Sequence, residues 1–91
     1  MYITTNPAKT VLYVGVTNSL SIRMQQHFEN RGTRKSFAGR FYCYNLIYWE
    51  RFDRPMDAID REKEVKKWNR KKKEALINTL NPRWLTLVVD D

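Results

Sequence analysis

Between positions 11 and 16 the side chains alternate with the period of two that marks a strand. Leu12, Val14 and Val16 fall on one face, and Val11, Tyr13 and Gly15 on the other. The second face sets a phenol beside a residue with no side chain. Thr17, Asn18 and Ser19 follow, all good helix-capping residues, and Leu20, Met24 and Phe28 then recur every four positions. The spacing predicts a helix over about 19–30. Arg23 and His27, also four apart, share a neighbouring face of it. A strand that turns directly into this helix brings Tyr13, Arg23 and His27 within reach of one pocket.

The remaining pattern supplies a frame for that unit. Residues 1–4 read as a brief strand, Asn6-Pro7 as a turn, and the short connection to residues 10–16 predicts an antiparallel pair. Residues 42–49 are rich in aromatic and branched side chains and read as a third strand, with Leu46 and Tyr48 alternating against Ile47 and Trp49. Arg51-Phe52-Asp53-Arg54-Pro55 is a turn with Asp53 as candidate cap and Pro55 in the first turn of a helix over about 56–68. Ala58, Ile59 and Val65 mark the inner side of that helix. Asn69 separates it from a last helix over about 70–79, docked by Leu76, Ile77 and Leu80. Asn81-Pro82-Arg83-Trp84 ends it, because proline disfavours helix at the preceding residue. Residues 85–88 form either a terminal strand or a packed tail. The predicted class is α/β, with a small, mainly antiparallel three-stranded sheet flanked by helices.

Glu62 breaks the pattern of its helix. At 100° per residue it falls between Ala58 and Ile59, so a carboxylate points toward the side that should be apolar. An unpartnered buried carboxylate is costly, and the cost is met by an ion pair or a metal. Arg23 or Arg61 is the expected ion-pair partner on position alone.

Ninety-one residues suit one domain, 1–91, without an appended specificity module. Seventeen Lys and Arg against ten Asp and Glu give a net charge of +7, which calls for an anionic partner. Nucleic acid leads; no basic amphipathic helix stands apart from the core, so membrane is not expected. Arg31, Arg34 and Lys35 lie in one polar loop and Arg40 follows shortly after. Lys63, Lys66, Lys67, Arg70 and Lys71 belong to the most basic stretch of the chain. These cations are candidates for phosphate contact, the sequence-independent kind. Phe37, Phe41, Tyr42 and Tyr44 lie nearby and have the chemistry to stack on unpaired bases, but core packing is the favoured reading for each. The single Cys43 fits a reducing cytoplasm and a small buried role, and one Cys with one His leaves no dedicated zinc site. No signal peptide or apolar run of membrane length occurs, so a cytoplasmic, soluble chain is expected.

Tyr2, Tyr13-Val14-Gly15 eleven positions on, Arg23, His27, the run Arg61-Glu62-Lys63 through Lys67-Trp68, and Asn81-Pro82-Arg83-Trp84 together resemble the GIY-YIG nucleases. The resemblance is nearest to small single-domain members related to the nuclease module of the excision-repair protein UvrC. It implies a metal-dependent endonuclease acting on DNA, structure-selective in repair or processing. In it Glu62 binds a divalent cation, Mg2+ or Mn2+, and Arg23 holds the phosphate and stabilises the transition state. Tyr13 or Tyr2 acts on the attacking water, His27 relays a proton or contacts phosphate, Gly15 allows close approach of substrate or helix, and Asn81 anchors the last helix. The chain departs from the repair relatives in two places: Val16 stands where they carry lysine, and Tyr2 has a short lead-in. The runner-up reading is therefore a nucleic-acid-binding module of the same fold with little turnover. A subunit that binds protein through Trp49, Trp68 and Trp84 has no positive motif. So small a surface assigns sequence selection to a homodimer or a partner.

Overall fold

The structure is a computed structural model that describes residues 1–89. Three strands, β1 (Tyr2–Thr5), β2 (Leu12–Gly15) and β3 (Asn45–Trp49), form an antiparallel sheet in the order β2-β1-β3. Because β1 is central, its residues Tyr2, Ile3, Thr4 and Thr5 are almost entirely covered. The hairpin from β1 to β2 closes on Asn6, whose Oδ1 accepts from the backbone N–H groups of Thr10 (2.8 Å) and Val11 (2.9 Å).

Four helices surround the sheet: α1 (Leu20–Glu29), α2 (Phe37–Arg40), α3 (Pro55–Lys66) and α4 (Arg70–Leu80). Ile3, Val14, Ile47, Val65 and Ile77 form the centre of the apolar core, with Trp68 and Trp84 packed against it. Two of the three tryptophans are thus engaged internally, and Trp49 is half-buried with the Arg51 guanidinium 5.6 Å from its ring centroid.

The sequence pattern locates these elements with a few corrections. The third strand starts at Asn45, because Tyr42 has φ 58, a left-handed conformation that a strand does not admit. Leu46, Ile47 and Tyr48 are all buried. A register irregularity lies between Ile3 and Thr4 where β1 meets β3, and both faces of this strand are covered. Asp53 is not the cap of α3: Arg54 occupies that position, with Pro55 the first helical residue. Asn69 caps α4 by accepting from the Lys72 N–H at 2.8 Å. On α1 the buried residue is His27, which turns Phe28 outward onto Tyr44. On α4 Ile77 is buried while Leu80 is exposed. Residues 85–88 form no strand; Leu87 N–H donates to the Leu46 carbonyl at 2.8 Å and packs the tail against β3. Cys43 is buried, which pushes its thiol up to about 11 and keeps it protonated.

Candidate active site

Tyr2 and Gly15 are direct partners across the β1–β2 ladder. A Cβ on Gly15 would come within 2.5 Å of the Tyr2 hydroxyl oxygen and 2.9 Å of Tyr13 Cε2. The missing side chain therefore makes room for the Tyr2 ring. Tyr13 lies on the same side, its ring centroid 6.2 Å from that of Tyr2. The two tyrosines differ in access: Tyr2 is 0% exposed, whereas Tyr13 is half-buried.

The first turn of α1 starts five residues beyond Gly15, and its four-residue spacing carries Arg23 and His27 onto Tyr2 together. His27 Nε2 lies 2.8 Å from the Tyr2 hydroxyl, and Arg23 Nε donates to that hydroxyl at 3.3 Å. Since the Tyr2 oxygen accepts from Arg23, its proton is free to be donated to His27. That arrangement requires neutral His27 with its proton on Nδ1. Burial, with the Arg23 charge acting in the same direction, lowers the His27 pKa to about 4, so the ring is neutral at pH 7. Burial also raises Tyr2 to about 12, against the opposing hydrogen bond and charge of Arg23. The Tyr2 hydrogen bond raises Arg23 in turn, and Tyr13 is close enough to raise both Tyr2 and Arg23. His27 is edge-on to the Tyr13 ring at 5.5 Å, which closes a compact group of two phenols, an imidazole and a guanidinium.

This order of elements and residues is that of a known family: the GIY-YIG catalytic domain matches residues 1–75. The chain belongs to the GIY-YIG family. As a GIY-YIG domain it has a nuclease-type fold, and nucleic acid is the substrate class that the domain implies. The chain is 35% identical to a UPF0213 protein of Bacillus pumilus over 76% of its own length and 68% of the relative's. It is 36% identical to one of Natronomonas pharaonis over 77% of this chain and 80% of that one. A third, from Staphylococcus aureus, is 32% identical over 72% and 78% respectively. No solved structure matches.

GIY-YIG nucleases generally use divalent metals, and the Glu62 carboxylate has the chemistry to hold one. It sits on the inner half of α3, its side chain 15% exposed, and α3 packs against β2. Its ion-pair partner is Lys66, one helical turn on, at 3.3 Å. The partners expected from sequence are engaged elsewhere: Arg23 with Tyr2, and Arg61 with Glu50 (3.0 Å) and Glu64. Glu62 also lies near enough to the Met1 amine, at the head of β1, to oppose the lowering of its pKa by burial. Among the described residues no group of three or more His, Cys, Asp or Glu comes together. A cage built wholly of protein ligands is therefore absent there. One carboxylate with water and phosphate oxygens is instead the donor set that Mg2+ commonly takes.

The candidate phosphate-binding cations fall into two regions. Arg34 and Lys35 precede α2 and Arg40 is its last residue, while Phe37 of the same helix stacks on Tyr13; Lys63, Lys66, Lys67, Arg70 and Lys71 lie along α3 and the start of α4. Lys66 and Arg70 have internal partners: Arg70 pairs with Glu74 at 2.9 Å and donates to the carbonyls of Lys9 and Thr10. A cavity of about 660 Å³ opens between the Val16–Leu20 turn, the 49–53 loop and Ala58. None of Tyr2, Tyr13, Arg23 or His27 lines it. Within the group Tyr2 and His27 are buried, and Tyr13 and Arg23 are the partly exposed members. Sequence reading missed α2, whose one signal is Ser36, which caps it by accepting from Gly39 N–H at 3.1 Å.

Proposed function

We propose that this chain, as a single nuclease domain over residues 1–91, is a metal-dependent endonuclease. It hydrolyses DNA phosphodiester bonds and selects a DNA structure during repair or processing. The observation that carries the reading is the Tyr2 hydroxyl held between the Arg23 guanidinium and the neutral His27 ring, beneath the more accessible Tyr13.

Phosphodiester hydrolysis needs a water relieved of a proton and a stabilised phosphoryl charge. Tyr13, the tyrosine that reaches solvent, orients the water. As the water's proton reaches the Tyr13 hydroxyl, Tyr13 gives its own proton to Tyr2, and Tyr2, fully covered, gives its own to His27 Nε2, so that no free phenolate forms. Arg23 meets the phosphate with its remaining donors, and the arriving negative charge raises the His27 pKa from its low resting value. Arg23 thus supplies at Tyr2 the positive charge that Val16 lacks. Glu62 would hold the divalent ion, Mg2+ or Mn2+, exchanging its pairing with Lys66 for the metal. Bound there, the ion supplies charge neutralisation at the phosphate. Lys63, Lys67 and Lys71 on one side and Arg34, Lys35 and Arg40 on the other hold the backbone. A second copy or a partner would add any sequence preference.

A second reading, a nucleic-acid-binding module with little turnover, is favoured by one observation: Tyr2 is pushed up to about 12 and His27 down to about 4, so neither is a strong base at rest. Cleavage of labelled linear, flapped and branched DNAs with Mg2+, Mn2+ or EDTA separates the two. The endonuclease reading expects metal-dependent cutting that falls more than about 100-fold in Glu62→Gln, with DNA binding retained. Salt-sensitive binding with no cutting in any condition would leave only the module.

A further inference from the structure

Phe37 and Phe41 were expected in the core, yet they are 52% and 39% exposed. Packing explains why. Ala38 and Gly39 are the buried residues of α2, and a Cβ on Gly39 would meet the Asn30 carbonyl oxygen at 2.7 Å and Thr33 Oγ1 at 2.8 Å. The close seating of that side on the end of α1 turns Phe37, Arg40 and Phe41 to the surface. The rings are not scattered. Phe37 stacks on Tyr13 with centroids 6.2 Å apart and planes at 24°, and Phe41 follows Phe37 at 4.7 Å. An aromatic row therefore leads from the candidate reactive group outward, with the Arg40 guanidinium 5.5 Å from the Phe41 centroid. From Asn30 to Trp49 the chain has Arg31, Arg34, Lys35 and Arg40 and no carboxylate. Among the described residues Arg34, Lys35 and Arg40 form no ion pair.

We propose that the Tyr13–Phe37–Phe41 row and its flanking cations Arg34, Lys35 and Arg40 bind an unpaired DNA strand next to the scissile phosphate. This deepens the endonuclease reading, on which it rests for the place of cutting, by naming a single-stranded segment as the structure selected. Cations alone serve duplex and single strand alike. Exposed rings discriminate, because a base inside a duplex is already covered on both faces whereas an unpaired base has a face to offer.

The test is fluorescence anisotropy in EDTA with a labelled 12-nucleotide strand and the blunt duplex of the same sequence. Phe37→Leu, Phe41→Leu and the double variant are compared with the unaltered chain. Leucine keeps apolar bulk at these exposed positions but has no aromatic face, and circular dichroism checks that each variant is folded. The expected result is about tenfold weaker binding of the single strand for each substitution, with duplex affinity changed less than about twofold. Equal loss on both DNAs, or loss on neither, overturns the proposal. So does self-association of the unaltered chain that disappears in the double variant, which assigns the row to a second copy. The measurement needs neither metal nor turnover, so its failure leaves the endonuclease reading standing, and absence of cleavage leaves the strand-binding result intact.

Discussion

The Tyr2 hydroxyl and His27 Nε2, from residues 25 apart in the chain, lie 2.8 Å apart inside the protein. Both groups are held in their neutral forms, and that has opposite consequences at the two ends of the pH scale. His27 titrates at 6.5 when unfolded and about 4 when folded, so the folded chain binds fewer protons in that interval. Its contribution is complete above pH 6.5 and lost as pH falls toward 4, at a cost of up to ~3 kcal/mol. Tyr2, raised from 10 to about 12, contributes fully below pH 10 and loses that contribution as pH rises through 12. Cys43 and Tyr48, also raised by burial, steepen the same alkaline limb. Urea unfolding across pH should show stability rising with pH until about 8, the lowered Met1 amine extending the acid limb of His27, and falling above about 9, with the acid slope flattened in His27→Gln and the alkaline slope reduced in Tyr2→Phe.

Gly15 fixes where the Tyr2 ring can lie. Alanine there would set its Cβ 2.5 Å from the Tyr2 hydroxyl oxygen and 2.6 Å from Cζ, contacts that force a fully buried ring to move. Overpacking of this kind costs about 1–3 kcal/mol. Because the same ring carries the bond to His27, Gly15→Ala should also lose cleavage by at least about tenfold under conditions where it remains folded. Chemical denaturation and single-turnover cleavage on one preparation measure both.

Much of this site is legible from local spacing. Tyr13 and Gly15 share a strand face by the period of two, and Arg23 and His27 share a helix face by the interval of four; neither needs tertiary information. The role of Gly15 needs the β1–β2 register, which pairs it with Tyr2, and periodicity cannot supply that. Helix α2 is four residues long, too short for any hydrophobic period to emerge, so the aromatic residues around it read as core and the buried pair Ala38–Gly39 went unseen. The Glu62 partner was misassigned for a related reason. Lys66 stands at the i+4 position that helix geometry favours, while Arg61 is drawn off by Glu50, a residue eleven positions back on the strand side.

Asn81 should behave as a structural residue with no part in the chemistry. Its side-chain amide donates to the carbonyls of Ile47 (3.0 Å) and Leu85 (2.7 Å), and its Oδ1 accepts from Leu85 N–H (3.0 Å). It is 5% exposed, so alanine would leave the buried Ile47 carbonyl without this donor. Asn81→Ala is expected to cost about 2–3 kcal/mol, lowering Tm by roughly 10–15 °C in a chain of this size. The rate of the folded fraction should be unchanged. A normal Tm with a lost rate would instead move Asn81 into the reactive group.

Arg70 and Lys71 are adjacent in sequence and carry the same charge, yet their surroundings predict opposite effects on stability. Arg70 reaches back across the fold to the Lys9 and Thr10 carbonyls, fastening α4 to the β1–β2 hairpin, and pairs with Glu74. Lys71 is exposed and forms no ion pair among the described residues. It also lies in the first turn of α4, where a cation opposes the helix dipole. Arg70→Ala should therefore destabilise by about 1 kcal/mol, the contacts being partly screened by solvent. Lys71→Ala should be neutral or stabilising by about 0.3 kcal/mol. On duplex DNA the order reverses if Lys71 contacts phosphate. Its removal lowers the slope of log affinity against log salt by about 0.9, whereas Arg70, committed to the hairpin, changes that slope less. Thermal unfolding and a salt titration of binding on the two variants measure these quantities separately. A slope unchanged in Lys71→Ala would confine the phosphate contacts to the other candidate cations.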